Sequence, residues 1–311
     1  MWGRFWVGMF VASSVASGWA SGTSLAAPAA APKSAADHAL DRPAFTAAPG
    51  ELLALGKAAP TGDWATVILR AQRDVSFDDR GRATVRERRV YVVQARDGVD
   101  DAAADDDGED TVQAAWHPSY QDRPVIRARV ITPEGKAVEL DPARITEAPE
   151  RQRAASAAGD RRYLEATLPA LQAGAVVEQQ IVTTDREPPP AGSVDTTPIG
   201  NPVPTSSTVI SYAAPASARV HHIERKLPAG ARVRHQVASG REIWTYEIPA
   251  LPPSPGQEFE APADAVQSPY VGVGTGASWE AVARAYRTLL DRRIAEGPFD
   301  LPAELPHGAR W

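Results

Sequence analysis

Short runs of β-branched and aromatic residues, separated by turn sequences, recur through the middle of this 311-residue chain. The turns at residues 78–81 (DDRG) and 133–135 (PEG) each place a glycine where a hairpin needs a positive φ. Turns of this kind recur at spacings of roughly 8–20 residues, which predicts about nine or ten short strands. The strand–helix alternation that is typical of a parallel sheet is missing from the sequence. We therefore predict a mostly β protein, an antiparallel β-sandwich.

The pattern within the strands indicates which side chains form the core. In REIWTYEI, residues 241–248, Trp244, Tyr246 and Ile248 alternate with polar neighbours and are expected to face inward. Residues 161–185 predict a further pair of strands, joined by a connection that ends at Gly174. The remaining strands are expected near residues 205–213, 218–226 and 232–238. The acidic run at 97–110 and the polar insert at 145–162 are expected to be exposed loops.

The N-terminus resembles an export signal. Arg4 precedes an uncharged apolar run at residues 5–20, and small residues follow at 24–26. The run is shorter than the ~20 residues that span a bilayer, which favours a cleaved signal peptide at 1–26 over the alternative, an uncleaved anchor. We expect an exported chain in the periplasm or cell envelope of a bacterium, with no stable membrane span after cleavage. Residues 27–56, rich in Ala and Pro, predict a linker, with a short helix near residues 51–57.

Composition excludes several kinds of chemistry. The chain has no cysteine, so a disulfide, a cysteine nucleophile and a lipoprotein anchor are all excluded. Its net charge is −6 and it has no basic stripe with interleaved aromatics, which argues against nucleic acid as a partner. The sequence contains no metalloprotease, nucleophile-elbow or phosphate-loop pattern. We therefore predict no catalytic residue, no metal site and no cofactor, and we do not expect this chain to be an enzyme.

One short run, AWHPSY at residues 115–120, is unusual for its density of rings. Trp116, His117 and Tyr120 would suit a peptide or carbohydrate groove, and they are the candidate binding residues. The alternative, which we favour, is that these side chains pack against the start of the strand near Val125.

The last periodic segment is an amphipathic helix that follows a predicted linker at residues 256–276. Ser278 is a suitable N-cap, and Gly297 with Pro298 ends the pattern. The apolar residues recur at helical spacing and predict one packing face. The side chains expected to make an interdomain contact are Trp279, Val282, Tyr286, Leu289 and Leu290.

Five segments occur in an order that resembles one known family, the β-sandwich domain of unknown function that precedes a transglutaminase-like domain in bacterial envelope proteins. The segments are VSFDDRGRATVRERRVYVV, HPSYQDRPVIRARVITPEGKAVELDP, YLEATLPALQAGAVVEQQI, IWTYEIPALPPSP and ASWEAVARAYRTLL. The resemblance implies a β-sandwich at residues 57–255 and, at residues 277–311, the first helix of a truncated transglutaminase-like domain. The catalytic Cys, His and Asp of such a domain would lie further along, so no catalytic residue is carried over.

The leading hypothesis is a non-catalytic exported module, the N-terminal part of a transglutaminase-like protein, which positions the catalytic domain or binds its protein substrate. Its partner would be the missing C-terminal transglutaminase-like domain or an envelope protein. The first alternative is a free-standing peptide- or glycan-binding envelope module. The second is a carboxylate-based hydrolase, for which the sequence nominates no residue. The first two hypotheses differ in whether coding sequence continues past Trp311.

Overall fold

A computed structural model describes residues 39–94, 110–149, 161–188, 192, 194–218, 220–254, 268–275 and 278–295. The chain divides into two units, Met1–Lys33 and Ser34–Trp311, and every described residue belongs to the second. The predicted signal peptide at 1–26 and most of the acidic run lie outside the described residues. Within those ranges, no helix has the length and apolar character needed to cross a bilayer.

The described elements are mainly strands. The helices that lie wholly within the described residues are α1 (Pro49–Lys57) and α2 (Trp279–Ala295), with a 3-10 turn at Pro142–Arg144. Residues 39–41, at the start of the described part, are also helical. The strands are β1 (Thr66–Phe77), β2 (Ala83–Val93), β3 (Thr111–Trp116), β4 (Val125–Ile131), β5 (Ala137–Glu139), β6 (Thr146–Pro149), β7 (Arg162–Thr167), β8 (Val176–Thr184), β9 (Val194–Pro198), β10 (Thr208–Pro215), β11 (His221–Arg225), β12 (Arg232–Ala238), β13 (Arg241–Ile248) and β14 (Tyr270–Gly274).

Eight of these strands form the main sheet, in the order β12-β13-β10-β1-β2-β8-β4-β5. The β1–β2 and β4–β5 hairpins turn at Gly81 and Gly135, whose φ angles are 78° and 90°, as the sequence predicts. All neighbouring pairs in this sheet are antiparallel except β1 with β10, which run parallel. The predicted fold class, mostly β with antiparallel sheets, is confirmed.

A second layer of two three-stranded sheets covers one face of the main sheet. One sheet has the order β3-β7-β6 and the other β9-β14-β11. Ala71, Val75 and Phe77 share a face of β1, because side chains alternate along a strand. Ala71 packs on the core beneath β3 and β7, whereas Val75 and Phe77 lie in the core beneath β9 and β14. Both small sheets therefore stand on the same face.

The opposite face of the main sheet is covered by residues 39–57, which lie largely within the predicted linker. Leu52 and Leu53 of α1 are buried with Val67, Val90 and other apolar residues of β1, β2 and β8. The linker prediction is therefore corrected for this part: its apolar side chains complete a face that would otherwise be exposed. The short helix predicted near residues 51–57 is present as α1.

Three other features differ from the sequence-based prediction. The polar insert at 145–162, expected to be an exposed loop, begins with strand β6, which pairs with β7. The strands predicted to pair within residues 161–185 are β7 and β8, which belong to different sheets. β7 pairs with β3 and β6, and β8 pairs with β2 and β4. The predicted linker at 256–276 contains β14, the central strand of a small sheet, because buried Val271 and Val273 complete its core. Tyr246 and Ile248 are buried as predicted, and Trp244 is half-buried beside them.

Candidate functional site

A cleft of about 720 Å³ separates the two small sheets of the second layer. Its floor is the main sheet, with residues from β1, β2, β8 and β10, and its walls are β3 on one side and β9 with residues 198–203 on the other. In each small sheet the wall strand is an edge strand, because β3 pairs with β7 alone and β9 with β14 alone among the described strands. The second layer is thus interrupted where two sheet edges face the cleft.

The strand register arranges the polar residues of the floor in two rows. Arg73 lies opposite Glu87, and Ala71 lies opposite Arg89, which in turn lies opposite Gln179. Arg89 is exposed and has no hydrogen-bond or ion-pair partner in the described parts of the chain. The guanidinium of Arg89, near the middle of the cleft floor, is therefore not paired with any other described residue.

A charged cluster fixes the β9 wall to the floor. Arg73 pairs with Glu87 and donates from Nη2 to Asp195 Oδ1 at 2.5 Å. The Tyr212 hydroxyl and the Thr197 hydroxyl both donate to Asp195 Oδ2, at 3.1 and 3.0 Å. Since these groups satisfy both oxygens of Asp195, the cluster holds β9 against β1 and β10.

Burial and the charge of Asp195 shift the pKa of Arg73 in opposite directions but shift the pKa of Tyr212 in the same direction. Burial acts to lower the pKa of Arg73, but the hydrogen bond and charge of Asp195 and the charge of Glu87 leave it above its ordinary value. Burial raises the pKa of the Tyr212 hydroxyl well above its usual value, and Asp195 adds to the shift. The arginine therefore stays charged and the phenol stays protonated, so the cluster serves to position the wall.

The backbone groups on the two walls point toward the cleft in a defined alternation. The Leu168 N–H donates to the Asp110 carbonyl at 2.7 Å, which sets the β3–β7 ladder. Because antiparallel partners alternate, the N–H and C=O of Gln113 and Ala115 then point away from β7. By the same argument, the Ile199 N–H donates to the Pro269 carbonyl at 2.8 Å, and the peptide groups of Thr196 point away from β14.

The residues predicted for binding lie at the end of β3. Trp116 is 5% exposed and shares the inward face of β3 with Val112 and Ala114, so its indole belongs to the core and lines no groove. His117 and Tyr120 are half-buried, with stacked rings whose centroids are 5.1 Å apart. For His117 and Tyr120, binding stays a prediction, and so does packing at the start of the strand near Val125.

The predicted interdomain residues lie on α2. Tyr286 is 59% exposed and Leu290 61%, while Val282 is half-buried. The side chains of Trp279 and Leu289 lie outside the described part of the structure. Ile294, which follows at the same helical spacing, is 72% exposed. The described side chains therefore form an uncovered apolar stripe of Tyr286, Leu290 and Ile294.

A fully buried ion cluster lies beneath residues 40–47, on the other face of the main sheet. Glu178 is 0% exposed and accepts from Arg88 Nε at 2.9 Å and from Arg129 Nε at 2.8 Å. The same guanidiniums donate to backbone carbonyls, Arg88 to that of Leu40 at 2.8 Å and Arg129 to that of Ala47 at 2.9 Å. This enclosed cluster ties the N-terminal segment to the sheet, and no pattern in the sequence predicts it.

Aromatic rings and histidines stack where β10, β11, β12 and β13 meet. The centroid of the His222 ring lies 4.3 Å from that of Trp244, and the centroid of the His235 ring lies 4.1 Å from the same indole. Tyr212 meets His222 edge-on at 6.3 Å. Both ring nitrogens of His222 are buried with no hydrogen-bond partner among the described residues, and burial lowers the pKa of this histidine. In those same ranges, no group of three or more His, Asp or Glu side chains is placed to hold a metal ion.

These features define a class of protein: a layered, mostly antiparallel β domain with a polar cleft in an interrupted second layer. Residues 79–255 match the family described as Domain of Unknown Function with solved-structure structure (DUF3857). That match covers more than half of the chain, and the chain belongs to this family. No curated protein matches it.

Among solved structures, the chain is similar to a candidate protease from Parabacteroides distasonis ATCC 8503, with 13% identity and a TM-score of 0.59. The similarity covers 75% of this chain and 44% of that one, and at this identity it shows the fold alone. An M1 zinc metallopeptidase from Deinococcus radiodurans matches at 9% identity and a TM-score of 0.34, over 68% of this chain and 43% of that one. The chain thus spans less than half the length of each of these proteins.

Proposed function

We propose that this chain is a non-catalytic, exported module, the N-terminal part of a transglutaminase-like protein, that positions the catalytic domain or binds its protein substrate. The observation that carries the proposal is the uncovered stripe of Tyr286, Leu290 and Ile294 on α2. An amphipathic helix of a globular protein ordinarily buries its apolar stripe, because that burial supplies most of its stability. A helix with its stripe in water is therefore expected to have another surface to pack on.

The start of α2 supports a helix that begins independently of the β sheets. The Ala281 N–H donates to Ser278 Oγ at 3.2 Å, which caps the first turn, and Arg287 pairs with Asp291 one turn apart. These are local interactions, so they stabilise the helix without fixing it to the β sheets. The resemblance noted from the sequence assigns this helix to the start of a transglutaminase-like domain.

The comparison with solved structures is consistent with this arrangement. The candidate protease shares the fold over 44% of its own length, so more than half of it lies outside the shared part. A module of this kind within a longer protein would place a catalytic domain beside itself. Export to the periplasm or envelope belongs to the same proposal and is supported by the N-terminal sequence.

The experiment compares residues 27–311 with residues 27–276, so that the apolar run of the predicted signal peptide is absent from both. We expect the longer chain to bind a hydrophobic fluorescent dye and to self-associate in sedimentation, and the shorter chain to do neither. Within the longer chain, the double variant Tyr286→Gln and Leu290→Gln should reduce dye fluorescence severalfold. The matched control, Arg287→Gln on the same helix, should leave it unchanged. A longer chain that stays monodisperse and dye-silent would contradict the proposal.

A further inference from the structure

We infer that the cleft between the two small sheets binds one extended polypeptide strand with an acidic side chain, which pairs with the edges of β3 and β9 and completes the second layer. This inference names the site and the ligand class for the substrate-binding part of the proposed function, and to that extent it rests on that function. It is argued from the cleft alone and makes no use of α2.

The spacing of the strands in the main sheet determines the width of the cleft between the two walls. The β9 wall stands over β1 and β10, where Asp195 meets Arg73, and the β3 wall stands over β8 and β4, where Trp116 packs with Ile126. In the floor, β1 and β8 are separated by β2 alone. Because strands lie about 4.8 Å apart, β1 and β8 are themselves about 10 Å apart, so the gap between the walls has room for at least one strand above β2.

The walls supply the hydrogen bonds that such a strand requires. The peptide groups of Gln113 and Ala115 on one side, and of Thr196 on the other, point away from their own sheets. An inserted strand could pair with both edges, so its backbone would be satisfied on both sides. Unpaired sheet edges that face each other favour polypeptide over any ligand without a regular row of amides.

The floor supplies the preference for an acidic side chain. Arg89 lies on β2, beneath the gap, and has no partner in the part of the chain that the structure describes. Arg73, the other cationic side chain on this face of the floor, is already paired with Glu87 and Asp195. A carboxylate above Arg89 would form a charge-assisted hydrogen bond in a partly enclosed site.

A glycan fits these observations less well. Sugar-binding sites commonly offer an exposed aromatic ring, whereas the aromatic residue among those lining the cleft, Tyr91, is 6% exposed. The cleft therefore lacks a stacking platform in its described lining, while its walls carry two strand edges. We assign the ligand as polypeptide on this basis.

The test uses a fluorescein-labelled heptapeptide of alternating threonine and valine with one central glutamate and blocked ends. We expect saturable binding to the full chain by fluorescence anisotropy. The same peptide with alternate amides N-methylated cannot pair with one wall, and its affinity should fall at least tenfold. Absence of binding by the unmethylated peptide at millimolar protein, or equal binding by the methylated one, would overturn the inference.

Protein variants locate the contact. Gln113→Pro removes a single N–H that points into the cleft and leaves the β3–β7 ladder intact, because proline is tolerated at a strand edge. It should abolish peptide binding, whereas Gln113→Ala, which retains the N–H, should bind as the parent chain does. If Gln113→Pro fails to fold by circular dichroism, Thr196→Pro with Thr196→Ala repeats the comparison on the other wall. A folded proline variant that binds like its alanine control contradicts the inference.

The charge preference is tested by a double exchange. Arg89→Gln should weaken binding of the glutamate peptide about tenfold, the loss of one charge-assisted hydrogen bond, and leave a glutamine version of the peptide unaffected. Equal loss for both peptides would refute the assigned role of Arg89.

Two further outcomes would identify a different occupant of the cleft. If the chain self-associates and Gln113→Pro abolishes that association, the occupant is a second copy of the chain. If a uronic-acid oligosaccharide binds and Gln113→Pro leaves its binding unchanged, the occupant is a glycan. Either result overturns the assignment.

The α2 variants keep the two proposals separable. Tyr286→Gln with Leu290→Gln should retain peptide binding, and Gln113→Pro should retain dye binding. Loss of peptide binding in the α2 variants would show that the cleft depends on the helix, against the inference.

Discussion

Glu178 is a carboxylate with no exposed surface, held between two arginine side chains that also bind the backbone of residues 40–47. In Glu178→Gln, Arg88 and Arg129 remain buried, but the side chain that they share no longer carries a negative charge. Breaking a buried ion cluster from one side strands uncompensated charge, so we expect the free energy of unfolding to fall by about 3–5 kcal/mol. Urea denaturation followed by circular dichroism measures the change.

The matched control is Glu147→Gln, which removes the carboxylate of an exposed pair with Arg162 at 2.5 Å. Solvent screens this pair, and we expect a change below about 1 kcal/mol. Similar losses for the two substitutions would show that the buried cluster carries no special share of stability.

His222 predicts a pH dependence of stability. Burial lowers its pKa in the folded state, while the carboxylates of Glu242 and Glu224 partly oppose that shift and His235 adds to it. Because the folded pKa lies below the unfolded value of ~6.5, the stabilising contribution is present above pH ~6.5 and is lost as the pH falls below it.

Thermal unfolding of the parent chain should therefore shift to lower temperature between pH 7 and pH 5. In His222→Phe, which keeps a ring against Trp244, that part of the shift should disappear, whereas exposed His221→Phe should follow the parent. Parallel pH profiles for parent and His222→Phe would contradict the assignment.

For individual residues, the sequence predicted which side chains are buried better than it predicted which side chains touch. Alternation placed Tyr246 and Ile248 in the core, and the structure confirms both. It could not show that Trp116 also faces inward, because that depends on which face of β3 meets the main sheet. The Glu178 cluster joins three strands and a distant segment, and residues so far apart along the chain give no local pattern.

Among the elements, α1 shows a conflict between helix propensity and packing. A Cβ built on Gly56 would lie 2.8 Å from Val176 Cγ2 and 3.3 Å from Val92 Cγ2, because α1 rests directly on β8 and β2. Alanine is ordinarily favoured over glycine in a helix by up to ~1 kcal/mol. Here we expect Gly56→Ala to reduce stability by about 1–3 kcal/mol, since overpacking outweighs propensity.

Gly50 provides the matched control in the same helix, because a Cβ there meets nothing within 4 Å. Gly50→Ala should raise stability by a few tenths of a kcal/mol, up to about 1. Chemical denaturation of the two variants should give changes of opposite sign. Stabilisation by both would mean that α1 lifts readily from the sheet.

Elements joined by a short turn were predictable, and pairings between distant elements were not. The β1–β2 and β4–β5 hairpins follow from Gly81 and Gly135, whose positive φ the turn sequence requires. The separation of β7 from β8 into different sheets depends on β3, whose partner lies about fifty residues away in sequence. For the same reason the cleft could not be predicted from the sequence, because its floor and walls come from six strands spread along the chain.

For the whole molecule, the two ends of the described region should contribute very differently to stability. Removing residues 1–57 exposes the Glu178 cluster and the apolar face of β1, β2 and β8. A domain of ordinary stability, about 5–15 kcal/mol, would lose most of it, so we expect this truncation to unfold or aggregate.

Ending the chain at Gly276 removes a helix whose described stripe is exposed. We expect the midpoint of urea unfolding to stay within experimental error of the parent, which calorimetry can check independently. A large loss on this second truncation would mean that α2 packs on the β sheets in solution.

The parallel pairing of β1 with β10 has a consequence for synthesis of the protein. β1 obtains its antiparallel neighbour β2 almost at once, but its other edge gains a partner only when residues 208–215 have been made. Until then the growing polypeptide carries an unpaired edge beside Val75 and Phe77, which are buried in the finished fold. Such an edge is prone to pair with other chains, so we expect aggregation to compete with folding of the nascent protein until β10 docks.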